Sequence, residues 1–175
     1  VRSAQIKFNQ TGKPITRAGE IQKELLKKIL GNCGENIFIE PPLRMAYGKN
    51  THIGENFYSN YNLIILDCAK VMIGDNVLIA SRVYISDHSH GEITSEALLL
   101  PPIERKLVTK GSVIIGDNVW LGEGVVILPG VTIGKNSIIG SNAVVTKSLP
   151  ENCVAAGNPA IVIKQLNTQM EVANF

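Results

Sequence analysis

From Ile115 to Val145 an aliphatic residue returns at every sixth position, as Ile115, Leu121, Ile127, Ile133, Ile139 and Val145. An α-helix would return its apolar face about every 3.6 residues and a simple strand every second one, so a strict six belongs to neither. It belongs to a chain that runs as a short strand, turns a corner and repeats, with about three hexapeptides closing each coil of an all-β solenoid. Gly116, Gly122, Gly134 and Gly140 follow four of the aliphatic residues. A small residue there lets the backbone bend where a larger side chain would crowd. Val125, Val131 and Ala143 are expected to fill the interior as a second, smaller inward layer. No coil can bury its own apolar side, so each depends on its neighbours.

The same register appears upstream at Ile73, Ile79 and Ile85, in IGDNVL, IASRVY and ISDHSH. From Ile85 to Ile115 the count is still a multiple of six, yet the stretch between, about residues 91–112, lacks the pattern. With its Pro pair, mixed charges and apolar run it reads as one long loop inserted into a coil. Ile53 opens another repeat, and the twenty residues from Ile53 to Ile73 imply longer corners there. The solenoid is expected over residues 35–163, preceded by an N-terminal segment and capping helix over 1–34 and followed by a polar, loosely held tail over 164–175. In the helix, Ile21, Leu25, Ile29 and Leu30 share one face and Gly31 or Gly34 supplies the stop. An open solenoid end exposes strand edges and core, and such a cap covers them. Residues 1–17 are weakly patterned, and the chain opens on Val1 rather than Met, which leaves its natural start open.

At 175 residues, 45% hydrophobic and a net charge of +2, the chain suits one domain and gives no reason to expect nucleic acid as a partner. No apolar run reaches the roughly 18 residues of a membrane span, and no basic-then-apolar start suggests a leader, so the cytoplasm is the expected location. Cys33, Cys68 and Cys153 are scattered and odd in number. That argues against a disulfide framework or a structural zinc site, and for buried or idle thiols.

The repeats, taken with IEPPLRMAYGKNTHIGENFYSNYNLIILD, IGDNVWLGEGVVILPGVTIG and SNAVVTKSLPENCVAAGNPA, resemble the hexapeptide-repeat O-acetyltransferases, in particular the galactoside and maltose acetyltransferases and their relatives in O-antigen and capsule synthesis. The resemblance spans about residues 20–165. It implies a left-handed parallel β-helix, an exception to the usual right-handed crossover. It also implies a homotrimer with acetyl-CoA, the co-substrate, between subunits, and no metal. Transfer of an acetyl group to an alcohol needs a base to take the hydroxyl proton, and imidazole suits that task near neutral pH. By the resemblance His90 falls on the family's catalytic histidine, with His88 beside it for acceptor binding or, failing His90, as base. Asn60 and Asp67 fall on acceptor-binding positions, although an Asn at this point can also simply make a corner. Cys68 stands where some sugar transferases carry a second acid. The backbone N–H of Glu123 matches the oxyanion donor. Trp120, Ser141, Thr146, Lys147 and Lys164 match cofactor-contacting positions, Lys164 replacing a family Arg and so offering a point charge instead of a fork. The short N-terminal region and the long loop favour a saccharide of surface polysaccharide synthesis as acceptor.

Other classes make different demands. A zinc lyase of the γ-carbonic anhydrase kind shares the solenoid but needs three histidine ligands. His52, His88 and His90 would have to be all three, and two residues so close at the end of one strand converge poorly with a third from a neighbouring subunit. A xenobiotic acetyltransferase would keep the same base and cofactor groove with an antibiotic as acceptor. A non-catalytic trimeric scaffold would be expected to lose the base or the groove.

Overall fold

The computed structural model describes residues 2–11, 20–90 and 94–167. Its strands form three parallel sheets, the sides of a triangular prism. Sheet A holds Asn32–Cys33, Thr51–Ile53, Val71–Ile73, Val113–Ile115 and Thr132–Ile133. Sheet B holds Ile37–Ile39, Phe57–Ser59, Leu78–Ile79, Trp120–Leu121, Ile138–Ile139 and Cys153–Gly157. Sheet C holds Leu43–Met45, Leu63–Leu66, Tyr84–Ser86, Val126–Ile127 and Val144–Val145. The chain visits A, B and C in turn, giving about six coils that wind left-handed.

The six-residue spacing has a direct physical outcome. Ile73, Ile115 and Ile133 align across sheet A, Ile79, Leu121 and Ile139 across sheet B, and Ile85, Ile127 and Val145 across sheet C. All nine are buried, with Val125, Val131 and Ala143 filling the spaces between them. At Gly116 an added Cβ would lie 2.7 Å from the Lys135 nitrogen of the next coil, so the small residue is a condition of stacking. The corner between sheets A and B carries a second column. Asn36, Asn56, Asn76, Asn118 and Asn136 each donate a side-chain N–H to the amide oxygen of the next asparagine, ending at Asn152, at 2.7–3.1 Å. From Asn56 onward these residues take φ between 54 and 57°. Asn tolerates that left-handed turn better than other side chains.

The inserted loop interrupts the coils between sheets C and A. Met72 and its partner Ile114 are 42 residues apart, against 18 for Ile114 and Thr132. The loop has order of its own: His88–Ser89 pairs antiparallel with Val108–Thr109 at its base. Beyond that hairpin lie a short helix, Ser95–Leu99, capped by the Thr94 hydroxyl, and a 3₁₀ turn, Pro102–Glu104.

Two helices cover the first coil instead of one. The weakly patterned start forms α1, Arg2–Asn9, which buries Phe8 and docks through Asn9, whose side chain both donates to Leu43 O and accepts from Leu43 N. Helix α2 is Glu20–Ile29. Its buried face is Gln22, Leu26 and Ile29, continuing to Leu30, while Ile21 is 70% exposed. The helix is thus rolled away from the face its apolar residues suggest, and on the buried side Gln22 Nε2 donates to Thr11 Oγ1 just after α1. At the other end Cys153–Gly157 turns back as the strand Ala160–Gln165. Lys164, expected at the start of a loose tail, therefore lies in a paired strand. The part of that tail over 168–175 lies outside the described residues.

Candidate active site

The edge where sheet C passes to sheet A holds His88 and His90. Asp87, fully buried, accepts the Cys68 N–H at 3.1 Å through Oδ1 and the Ala69 N–H through Oδ2. Oδ1 also lies 2.9 Å from His88 Nδ1. A carboxylate can only accept from Nδ1–H, so the lone pair of the neutral ring sits on Nε2. Nε2 in turn lies 3.7 Å from Cys68 Sγ. Partial burial, helped by the nearby Asp87 and Asp67 carboxylates, pushes the Cys68 thiol up. His88, His90, Ser86, Tyr84, Leu128 and Thr146 help line an open cavity of about 520 Å³. His90 is exposed at its rim, and Lys147 follows Thr146 on the same edge.

A second set of candidates lies on the edge between sheets B and C. Asn60 follows the strand Phe57–Ser59, and its Oδ1 accepts the Tyr61 N–H at 2.7 Å. Glu123 and Ser141 occupy the matching corners two and three coils on. The Glu123 side chain is taken up by Ser81 and Arg82, at 3.0 and 2.8 Å. Its backbone N–H has no acceptor among the described residues. Trp120 is 38% exposed on the outer surface of sheet B, in an apolar row with Phe38, Tyr58, Leu78, Ile138 and Val154. Lys164, paired with Val154, continues that row.

The sequence comparisons fit this architecture. The family described as "Bacterial transferase hexapeptide (six repeats)" matches residues 112–147. The galactoside O-acetyltransferase of Escherichia coli K12 is 46% identical over 153 residues, covering 85% of this chain and 70% of its own. This protein belongs to the hexapeptide-repeat O-acetyltransferases. A galactoside acetyltransferase solved in complex with coenzyme A superposes with a TM-score of 0.85 at 43% identity, covering 95% of this chain and 78% of that one. The putative lipopolysaccharide biosynthesis O-acetyltransferase WbbJ of E. coli K12 is 39% identical, covering 81% of this chain and 74% of its own.

For an acetyltransferase of this family the placement of the expected residues is instructive. One chain brings together His88, His90 and Thr146, but holds Asn60, Glu123 and Ser141 on another edge. Asp67 is held inside the prism. Its carboxylate is fully buried, accepting from Tyr47 N, Gly48 N and the Thr51 hydroxyl. It anchors one coil to the last, as Asp87 does twenty residues on. That repetition, LIILDC against VYISDH, is the signal that could have identified Asp87, the partner of His88 that reading by motif passed over. Cys68, expected as a buried or idle thiol, is exposed and stands beside His88. Among the described residues the grouping able to hold a metal is Cys68, Asp87 and His88. His52 lies apart on sheet A, so the three histidines of a lyase site do not meet within one chain.

Proposed function

We propose that this O-acetyltransferase moves the acetyl group of acetyl-CoA to a sugar hydroxyl by direct attack, with His90 as general base. His90 takes the hydroxyl proton as the oxygen attacks the thioester carbonyl, and the Glu123 N–H holds the oxyanion that forms. The intermediate collapses by breaking the carbon–sulfur bond, and the imidazolium returns the proton to the CoA thiolate. His88, its ring oriented by Asp87, and Asn60 bind the acceptor. CoA is long, anionic and partly apolar. The row from Trp120 to Lys164 offers it apolar surface and a cation, while Ser141, Thr146 and Lys147 line its path at the neighbouring edges.

The observation that carries the reading is an exposed imidazole at a cavity on one edge and, on another, a backbone N–H with no acceptor among the described residues. Two copies of the chain must face each other for both to meet one thioester, which supports the homotrimer. The outward-facing apolar row on sheet B, with Leu78 and Trp120 exposed, supports it too, because burial against a second copy removes that surface from water. Acetyl-CoA is charged and does not cross membranes, which supports work in the cytoplasm. No helix among the described residues is long and apolar enough to span a membrane.

The acceptor we favour is a saccharide of surface polysaccharide synthesis. Support comes from the inserted loop, whose base contributes Ser89 and Lys110 to the cavity and so shapes the acceptor side. WbbJ, named for lipopolysaccharide biosynthesis, is one of the relatives. The galactoside enzyme is more similar, so a simple galactoside belongs among the first acceptors tried. The test is free thiol release from acetyl-CoA with galactosides, nucleotide sugars, oligosaccharides and an aminoglycoside or streptogramin antibiotic. Acceptor-dependent release is expected with a sugar. Release with an antibiotic alone would replace the sugar with a xenobiotic.

A further inference from the structure

Cys68 and His88 lie one coil apart, twenty residues in sequence, and the stacking of coils sets Sγ 3.7 Å from Nε2. Zinc bonds to sulfur at about 2.3 Å and to imidazole nitrogen at about 2.0–2.1 Å, so a tetrahedral ion separates the two donors by about 3.6 Å. The gap already has that width. The imidazole is held for the task as well, since Nδ1 donates to Asp87 and the free lone pair of Nε2 points at the sulfur side. Asp87 is fully buried and fixed by the N–H groups of Cys68 and Ala69. A carboxylate behind a histidine is the usual outer support of a ligating imidazole. The donor atoms of Cys68, Asp87 and His88 all lie within 4.8 Å of one another. Cys68 is exposed, so water can fill the remaining positions.

We propose that Cys68 Sγ and His88 Nε2 bind a thiophilic divalent cation, zinc above all, with the Asp87 carboxylate orienting the imidazole from behind. A thiolate and an imidazole select zinc, cobalt or cadmium over magnesium or calcium, which prefer oxygen. The ion is not needed for acetyl transfer. It occupies the His88 nitrogen left free by Asp87, so it competes with an acceptor for that atom; this consequence rests on the role given to His88 above, whereas binding does not.

The experiment is a Co²⁺ titration of the intact protein, following the near-ultraviolet thiolate-to-cobalt charge-transfer band. One Co²⁺ per chain is expected, displaced by Zn²⁺ and removed by a chelator. Cys68→Ser should abolish the band, His88→Ala should weaken binding about tenfold or more, and Cys33→Ser should leave both band and affinity intact. Without any variant, Zn²⁺ should protect Cys68 of the wild-type chain from alkylation, read by mass spectrometry. A band that survives Cys68→Ser, a band lost with Cys33→Ser, or unprotected Cys68 at saturating Zn²⁺ would each overturn the site. Turnover followed in the same titration separates the two ideas: a loaded enzyme at full activity removes the acceptor role of His88 and leaves the cation site standing.

Discussion

Two histidines separated by one serine are given different surroundings by the same turn. His88 is half-buried, tied through Nδ1 to Asp87 and close through Nε2 to Cys68, whereas His90 stands exposed at the cavity rim. A base must meet its substrate, which suits the exposed His90. A tethered ring is better at positioning. His90→Ala should therefore lower kcat by about 10²–10⁴ while CoA binding stays near wild type. His88→Ala should act mainly on the acceptor KM. Steady-state kinetics on both variants with one identified sugar, alongside direct CoA binding, decides between them. If His90→Ala keeps most of its turnover and His88→Ala is dead, the base is His88. At this scale the family motifs suggest His90 and Glu123, but do not tell apart the surroundings of Asp67 and Asp87. An acidic residue after an apolar strand reads equally as a pocket wall or as an anchor for backbone N–H groups. Only the coil stacked beneath it, with Tyr47, Gly48 and Thr51, shows which.

Among the structural elements, the asparagine column shows how a corner is specified. Asn118 accepts from Asn76 at 3.1 Å, donates to Asn136 at 2.8 Å and holds φ at 57°. Asn118→Ala loses two amide bonds, each about 0.5–1.5 kcal/mol at best on an exposed edge. It also places a Cβ-bearing residue without Asn's local bonding in the left-handed region, at about 1–2 kcal/mol. A loss of roughly 2 kcal/mol is expected in denaturant unfolding, with Asn118→Gly milder because glycine keeps the turn. Equal losses for the two variants would mean that the turn conformation contributes nothing. The cap of the first coil has an acid-sensitive tie. Glu35 accepts hydrogen bonds from Lys23 and Lys27 of α2, which hold its carboxyl down at about 2 from an ordinary 4.5. A depressed carboxyl stabilises the fold above its unfolded value, so this contribution is present above about pH 4.5 and is lost as the pH falls toward about 2. Glu35 is exposed and the effect is small and screened by salt. Glu35→Gln should lower the melting temperature slightly at pH 6, with the difference from wild type vanishing near pH 2 and shrinking in high salt. A difference constant across that range would exclude the ion pairs as its source. The interior of the coils was legible because burial imposes the six-residue period on every side. The face of α2 was not. Stripes through Ile21 or through Leu26 both suit a helix, and the choice is made by α1, whose own stretch carries too little pattern to be read in advance.

For the molecule as a whole, the division of the candidate site between two edges of the prism predicts how chains must cooperate. In a trimer with His90 from one subunit and Asn60 from the next, His90→Ala and Asn60→Ala are each defective, but their defects need not fall in the same site. When the two variants are unfolded together and reassembled at equal ratio, random mixing gives about one site in four with both residues intact, by the cyclic symmetry of the assembly. The mixed sample should then regain about a quarter of wild-type turnover, while each variant refolded alone stays near its own low value. Sedimentation should give three chains per particle before and after mixing, so that recovery can be ascribed to exchange. If His90 and Asn60 instead serve one site within a single chain, mixing leaves activity at the average of the two variants. That result would remove the shared site, and with it the reason the two edges must meet across an interface.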